Sequence, residues 1–245
     1  MPLIGFGTWR LSGTSGYEAI RFALDTGYRH IDTATMYRNE AEVGRAISDS
    51  GIPRDELFIT TKLPSAGVGR ERETITESLR ALGTDYVDLW LVHWPPSGQA
   101  QPRVWKEVLS ARDRGQARAV GVSNYSIRQI DELITATGQP PEVNQIPWSP
   151  SQYDEQMLAA SQDRKIVVEG YSPLKETNLR DRRLTEIAAR HHVSPAQVVL
   201  RWHIEHGIPV IPKSANRGRI ADNFDLFSVE LSPAEVAGLD GLARP

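Results

Sequence analysis

Gly27–Tyr37, GYRHIDTATMY, is the stretch whose reading decides the fold. It follows a helical pattern carrying Ile20, Phe22, Ala23 and Leu24, and Gly27 stands where a helix ends on a C′ glycine. His30 and Ile31 then read as a short buried strand, and Asp32 falls where the apolar run stops. Past the loop Thr33–Met36 stands Tyr37. An acid at a strand end and a tyrosine on the next loop can both face a cleft above a sheet. Equally, Asp32 can cap the following helix while Tyr37 packs at the surface, because Asp is a common cap residue.

Two further runs favour the cleft. Phe58–Lys62, FITTK, is rich in β-formers and ends in a lysine, and Val87–His93, VDLWLVH, ends in a histidine. Three successive strands thus each bring an ionisable side chain to the carboxyl end, and in a parallel barrel or sheet those ends share the face where sites are built. Asp, Tyr, Lys and His are the parts of a proton-donating site. A free phenol, with a pKa near ~10, is a poor acid at neutrality. A neighbouring ammonium favours the phenolate and is expected to lower that pKa, a carboxylate holds the lysine charged and in place, and a neutral histidine orients a carbonyl oxygen.

Strand-like runs recur near Ile4, Ile31, Ile59, Leu89, Val120, Val143, Val167 and Val210, with helical patterns between them. Thr74, Ile75, Ser78, Leu79 and Leu82 before Gly83, Trp105, Val108 and Leu109 before Gly115, and Ile127, Ile130, Leu133 and Ile134 before Gly138 are core stripes. Eight βα units predict an α/β fold, a closed (β/α)8 TIM barrel forming one domain over 1–245. An open doubly wound sheet normally carries G-x-G-x-x-G after its first strand, which Gly5–Arg10, GFGTWR, does not complete. At 245 residues and 40% hydrophobic the chain can bury a large core. A net charge of −3 gives no reason to expect nucleic acid or a membrane surface as partner. The absence of cysteine excludes disulfides and thiolate metal sites and fits a cytoplasmic setting. No leader peptide or ~18-residue apolar run is read at sequence level. His191-His192 and His203-x-x-His206 lie on helical segments and are not read as metal ligands.

The order, spacing and flanks of Asp32, Tyr37, Lys62 and His93, the last in the form His93-Trp94-Pro95, resemble the catalytic tetrad of the aldo-keto reductases. The likeness runs from Pro2 to about Leu239, and the chain resembles bacterial-type, 2,5-diketo-gluconate reductase-like members. The resemblance implies NADPH-dependent reduction of aldehydes and ketones to alcohols, with a small carbonyl compound as substrate; a monomer is expected. It also implies a cofactor site. Gly7, Thr8, Trp9 and Asp32 would be among its cofactor contacts, and Ser123, Asn124 and Gln145 would hold the nicotinamide carboxamide. Tyr171 would stack on the ring, and Ser172 and Leu174 would turn around the pyrophosphate. Lys213, Ser214, Asn216 and Arg219 would hold the 2′-phosphate end, with Asp222 and Asn223 at the adenine. Alone, Ser123-Asn124 also reads as a turn, Tyr171 as a rim aromatic, and the Lys213–Arg219 cluster as a solvated helix start. Trp9, Tyr37, His93 and Trp94 are the expected substrate wall.

The barrel is expected to lack the amino-terminal hairpin plug and the long carboxyl-terminal loop usual in the family, so an open, promiscuous pocket is expected. Two rivals stand beside the reductase: an NADPH-binding regulatory or sensor protein with little turnover, and a barrel lyase or isomerase using Lys62 as a Schiff-base amine.

Overall fold

The computed structural model describes residues 1–243; the last two positions of the domain expected over 1–245 lie outside the described residues. In chain order the elements are β1 (Phe6–Gly7), α1 (Gly13–Thr26), β2 (His30–Asp32), α2 (Glu40–Ser50), β3 (Phe58–Leu63), α3 (Glu71–Leu82), β4 (Val87–Val92) and α4 (Pro102–Asp113). There follow β5 (Ala117–Ser123), α5 (Ile127–Thr137), β6 (Val143–Pro147), α6 (Glu155–Asp163), β7 (Val167–Tyr171), α7 (Arg182–Arg190), α8 (Pro195–Glu205), β8 (Val210–Ile211), α9 (Arg217–Phe224) and α10 (Pro233–Asp240). Each strand pairs in parallel with the next, from β1 to β8.

The last strand meets the first. Gly5 N–H donates to Val210 O at 2.9 Å, Val210 N–H to Leu3 O at 2.9 Å, and Gly7 N–H to Pro212 O at 3.0 Å. The chain therefore forms the (β/α)8 barrel that its repeat predicts. The first strand sits slightly later than the run at Ile4 suggests, because Ile4 makes only an isolated bridge to Val210. Proline at positions 2 and 212 removes ladder donors on both sides of this seam.

The helices turn their predicted stripes to the barrel. Ile20, Ala23 and Leu24 of α1 are buried while Phe22 is buried only in part, and Thr74, Ile75, Ser78, Leu79 and Leu82 of α3 are buried. In α5 Ile130 and Leu133 are buried, while Ile127 and Ile134 pack on the core only in part. Burying one such aliphatic side chain stabilises by about 1.5–3 kcal/mol. Gly27 ends α1 with φ at +122° and donates to Ala23 O and Leu24 O. A Cβ there would stand 2.9 Å from the Phe224 ring of α9, so both the turn and the packing need glycine.

The period of two along each strand sorts side chains between the helical layer and the barrel interior. Ile31 of β2, Ile59 and Leu63 of β3, and Trp90 and Val92 of β4 join the main core cluster under the helices. The alternate positions point inward: His30 and Asp32, Thr60 and Lys62, Leu89 and Leu91. Among the described residues no helix is long and apolar enough to cross a membrane.

Candidate active site

Asp32 ends β2, Lys62 stands one residue before the end of β3, and His93 directly follows β4. Parallel pairing brings all three to the same rim. After β2 the chain makes one 3-10 turn, Thr35–Tyr37, which lifts Tyr37 over the barrel mouth. Two tethers hold this turn. Tyr37 N–H donates to Ala34 O at 2.9 Å, and Thr35 Oγ1 donates to Lys62 O at 3.0 Å. The neighbouring loops are joined through buried Asn39, whose Nδ2 donates to Thr8 O at 2.9 Å and Leu11 O at 2.7 Å, and whose Oδ1 accepts from Thr33 Oγ1 at 2.8 Å.

Lys62 is sealed from solvent and donates to both Asp32 oxygens at 2.7 Å and to Thr33 O at 2.8 Å. Burial works against its charge, but Asp32 and the other acidic groups outweigh burial and raise the pKa above that of an ordinary lysine. Its Nζ lies 5.2 Å from the centroid of the Tyr37 ring. The His93 and Tyr37 rings meet edge to face at 5.7 Å, and Trp9 packs on Tyr37 at 4.9 Å. Burial, aided by Lys62, pushes the His93 pKa down to about 3, so this imidazole is neutral near pH 7.

One expectation is reversed. The Tyr37 pKa is raised, not lowered: burial is the largest influence and exceeds the downward pull of Lys62, while Asp32 adds to the rise. A partner charge counted alone gives the wrong sign when the phenol is also desolvated.

These groups open on a cavity of about 340 Å³ lined by Gly7, Trp9, Asp32, Tyr37, His93 and Trp94, with Ser123, Asn124, Gln145, Tyr171, Ser172 and Lys213 on its other walls. Trp9 and Trp94 are each 47% exposed and stand at its mouth. Met36, Lys175 and Ile211 also line it and were not singled out from the sequence. Tyr171 Oη donates to Asn124 Oδ1 at 2.8 Å, and Asn124 Nδ2 donates to His93 O at 3.1 Å, which locks the strand-end loops together. Asn124 and Ser172 both hold left-handed backbone, with φ of 66° and 53°. Such strain gathers at ligand clamps.

A second, shallower hollow is lined by Lys213, Ser214, Ala215, Asn216 and Arg219, at the start of α9. Lys213 lines both hollows, so the cavity over Tyr37 and His93 adjoins a cationic helix start, a kind of place where anions bind. Several expected contacts are used otherwise. Thr8 is fully buried, and its hydroxyl donates to Asp32 O at 2.9 Å. Asn216 lines the hollow, but its Oδ1 caps α9 by accepting from Arg219 N–H at 3.0 Å. Leu174 packs on the core, Asn223 is buried and Asp222 is exposed; none of the three lines either hollow. Gln145 spends both amide hydrogens on side-chain carboxyl oxygens, Asp32 Oδ2 at 2.8 Å and Glu169 Oε2 at 2.9 Å, so only its carbonyl oxygen is left for a ligand. His203 lies wholly inside the core between Val199 O and Trp148 O. Among the described residues no cluster of three His, Cys, Asp or Glu could hold a metal ion.

A family model described as Aldo/keto reductase family matches residues 3–244. An aldo-keto reductase of Mycolicibacterium smegmatis is 41% identical over 246 residues, covering 99% of this chain and 90% of that protein. Methylglyoxal reductase DkgA of Escherichia coli K12 is 39% identical over 247 residues, covering 98% and 90%. Among solved structures, an aldo/keto reductase of Brucella melitensis superposes with a TM-score of 0.94 at 39% identity, covering 99% of this chain and 95% of that one. A Bombyx mori aldo-keto reductase in complex with NADP gives 0.90 at 34% identity, covering 99% and 89%. A barrel mouth that gathers Asp32, Tyr37, Lys62 and His93, matched over almost its whole length by these proteins, belongs to the aldo/keto reductase family.

Proposed function

We propose that Tyr37, Lys62, Asp32 and His93 carry the family's reaction, the NADPH-dependent reduction of an aldehyde or ketone to an alcohol. When bound, the reduced nicotinamide supplies hydride to the carbonyl carbon. Tyr37 gives its proton to the carbonyl oxygen. Lys62 stabilises the negative charge that develops on the Tyr37 oxygen, and Asp32 keeps Lys62 charged and fixed. Neutral His93 donates a hydrogen bond that holds the carbonyl toward Tyr37. The observation that carries this reading is a single cavity edged by Tyr37 and His93 with a charged lysine sealed behind them.

Gln145 through its carbonyl oxygen, with Ser123 and Asn124, suits the carboxamide, Tyr171 and Ser172 the ring and pyrophosphate, and Lys213 and Arg219 the 2′-phosphate that distinguishes NADPH from NADH. Methylglyoxal, the substrate named for the Escherichia coli relative, is small enough for the cavity and is a fitting test compound. We assign the activity to a monomer in the cytoplasm.

The test is Tyr37→Phe. Followed by NADPH absorbance with methylglyoxal, turnover should fall about 10²- to 10⁴-fold. NADPH affinity, followed by fluorescence, should stay within about twofold, because Phe keeps the ring and loses only the hydroxyl. Unchanged turnover in Tyr37→Phe would refute the assignment of the proton donor.

A further inference from the structure

The barrel interior has two unlike halves. Leu89, Leu91 and Val143 form an apolar cluster with Phe58 and Ala119. Opposite them His30, Asp32, Thr60, Lys62, Gln145 and Glu169 are all buried polar groups. This half holds two carboxylic acids and one ammonium, and the ammonium serves only one of the acids. Lys62 donates to Asp32 and Thr33, and none of its hydrogen bonds reaches Glu169.

Glu169 is completely buried on β7. Its Oε2 accepts from Gln145 Nε2 at 2.9 Å, the same nitrogen that donates to Asp32 Oδ2 at 2.8 Å. Its Oε1 has no hydrogen-bond partner and faces His30 Nε2 at 3.6 Å. His30 reaches Thr60 Oγ1 at 3.1 Å and fits there only beside a glycine, since a Cβ on Gly5 would lie 2.6 Å from its Nδ1. A fully buried carboxylate with one hydrogen bond and no cation in contact is strongly disfavoured, whereas a neutral acid at the same place is not.

We propose that Glu169 is a positioning residue for the reductase, keeping its proton at neutral pH so that Lys62 answers to one carboxylate instead of two. The inference rests on Tyr37 as the proton donor. Burial first, and the charge of Asp32 second, push the Glu169 acid up to about 8, while burial and Lys62 hold His30 down at about 3. The proton therefore sits on Glu169. The charged and titratable groups around it are His30 and Asp32 from β2, Tyr37 beyond β2, Lys62 from β3 and the amino group of Met1. From β6 comes only the neutral Gln145, and the neighbouring strand β8 is the apolar pair Val210–Ile211. Once ionised, Glu169 sets a second negative charge near Lys62 and raises the Tyr37 pKa further, making the phenol a weaker acid.

Glu169→Gln is the neutral isostere of the protonated form and gives the test. With saturating NADPH and methylglyoxal, kcat of the variant should match wild type within about twofold near pH 6.5, and exceed it about threefold or more near pH 9.5, as a Brønsted-dependent acid requires. A ratio of variant to wild type that is the same at every pH would mark a merely structural role and overturn the proposal, as would superimposable curves. If Glu169→Gln does not fold, infrared spectra of ¹³C-glutamate-labelled Glu40→Gln carry the test, because Glu40 is the other buried glutamate whose pKa is raised. A neutral glutamic acid should then be present near pH 7 and disappear with a midpoint near 8. Its absence near pH 7 would overturn the proposal. Tyr37→Phe, assayed in parallel, tells the two failures apart: retained turnover there removes the premise, while a dead Tyr37→Phe beside a pH-independent Glu169→Gln refutes the role of Glu169 alone.

Discussion

Replacing Lys62 by methionine separates the two jobs its ammonium performs. The first is structural. Nζ lies 2.7 Å from each Asp32 oxygen and both side chains are buried, so Lys62→Met leaves a carboxylate whose remaining side-chain hydrogen bond comes from Gln145. Breaking a buried pair in this way costs about 3–5 kcal/mol. For a chain of this size each kcal/mol moves Tm by about 2–4 °C, which predicts melting roughly 6–20 °C below wild type. Asp32→Asn added to Lys62→Met removes the stranded charge and should restore stability to within about 1–2 kcal/mol of wild type. The second job is catalytic. At 5.2 Å from the Tyr37 ring, an ammonium attracts a full phenolate charge by about 3 kcal/mol at an effective dielectric near 20. Losing half to all of that in the transition state slows reduction by about ten- to a hundredfold. The single and double variants should therefore be about equally slow although their stabilities differ. Thermal melts and NADPH absorbance on the same samples decide it. A Lys62→Met protein that melts with wild type, or a double variant that regains wild-type turnover, would refute the reasoning.

The cofactor end and the acid stability of the fold give two more expectations. Arg219 lines the second hollow with Lys213, and a guanidinium on a phosphate is worth about 1.5–3 kcal/mol, so Arg219→Ala should weaken NADPH about tenfold or more and NADH by less than about twofold; equal weakening in a fluorescence titration would exclude a 2′-phosphate role. At α10, Glu235 accepts from Ser232 N–H and Oγ at 2.9 Å each and from Arg190 Nη2 at 2.9 Å, and it lies 3.2 Å from His191 Nε2. Burial alone would raise this carboxyl, but these donors hold it down to about 2, against an ordinary 4.5. A depressed carboxylate stabilises above its unfolded pKa and loses that contribution as pH falls through the folded one. Glu235→Gln should thus cost on the order of 2 kcal/mol near neutrality, after allowance for partial solvent screening. The gap from wild type should close between about pH 4.5 and about pH 2, and a gap unchanged by denaturant melts at pH 7 and pH 3 would contradict it.

The strand-end residues were legible because two independent regularities agreed on them. The βα repeat put Asp32, Lys62 and His93 at the ends of consecutive strands, and parallel pairing then leaves those ends only one common face. The same logic could have found Glu169. It stands two residues before Tyr171, so if Tyr171 faces the cavity, Glu169 must face the barrel interior, where a lone acid needs a reason. Other residues left no such signal. Whether the hydroxyl of Thr8 or the amide oxygen of Asn216 is free for a ligand depends on which backbone groups come within reach after folding, and both proved to be used. Asn39 acquires its role only where Thr8, Leu11 and Thr33 converge, a meeting of distant loops that local spacing does not record.

The sign of the Tyr37 shift follows the same division between what is local and what is not, and it bears on the chemistry. A phenol whose resting pKa is raised by burial is fully protonated at neutral pH, which is the state a proton donor must start from. What matters for rate is the cost of the negative charge that appears as the proton leaves, and that charge forms 5.2 Å, measured from the ring centre, from an ammonium locked by three hydrogen bonds. Lys62 thus stabilises the transition state much more than the resting phenol, and only such differential stabilisation accelerates the reaction. His93 completes the bias by staying neutral: a second cation there would stabilise an oxyanion, but it would also compete with Tyr37 as the acid and repel Lys62. Burial and Lys62 both press His93 to that neutral form, so the proton is left with one donor, Tyr37.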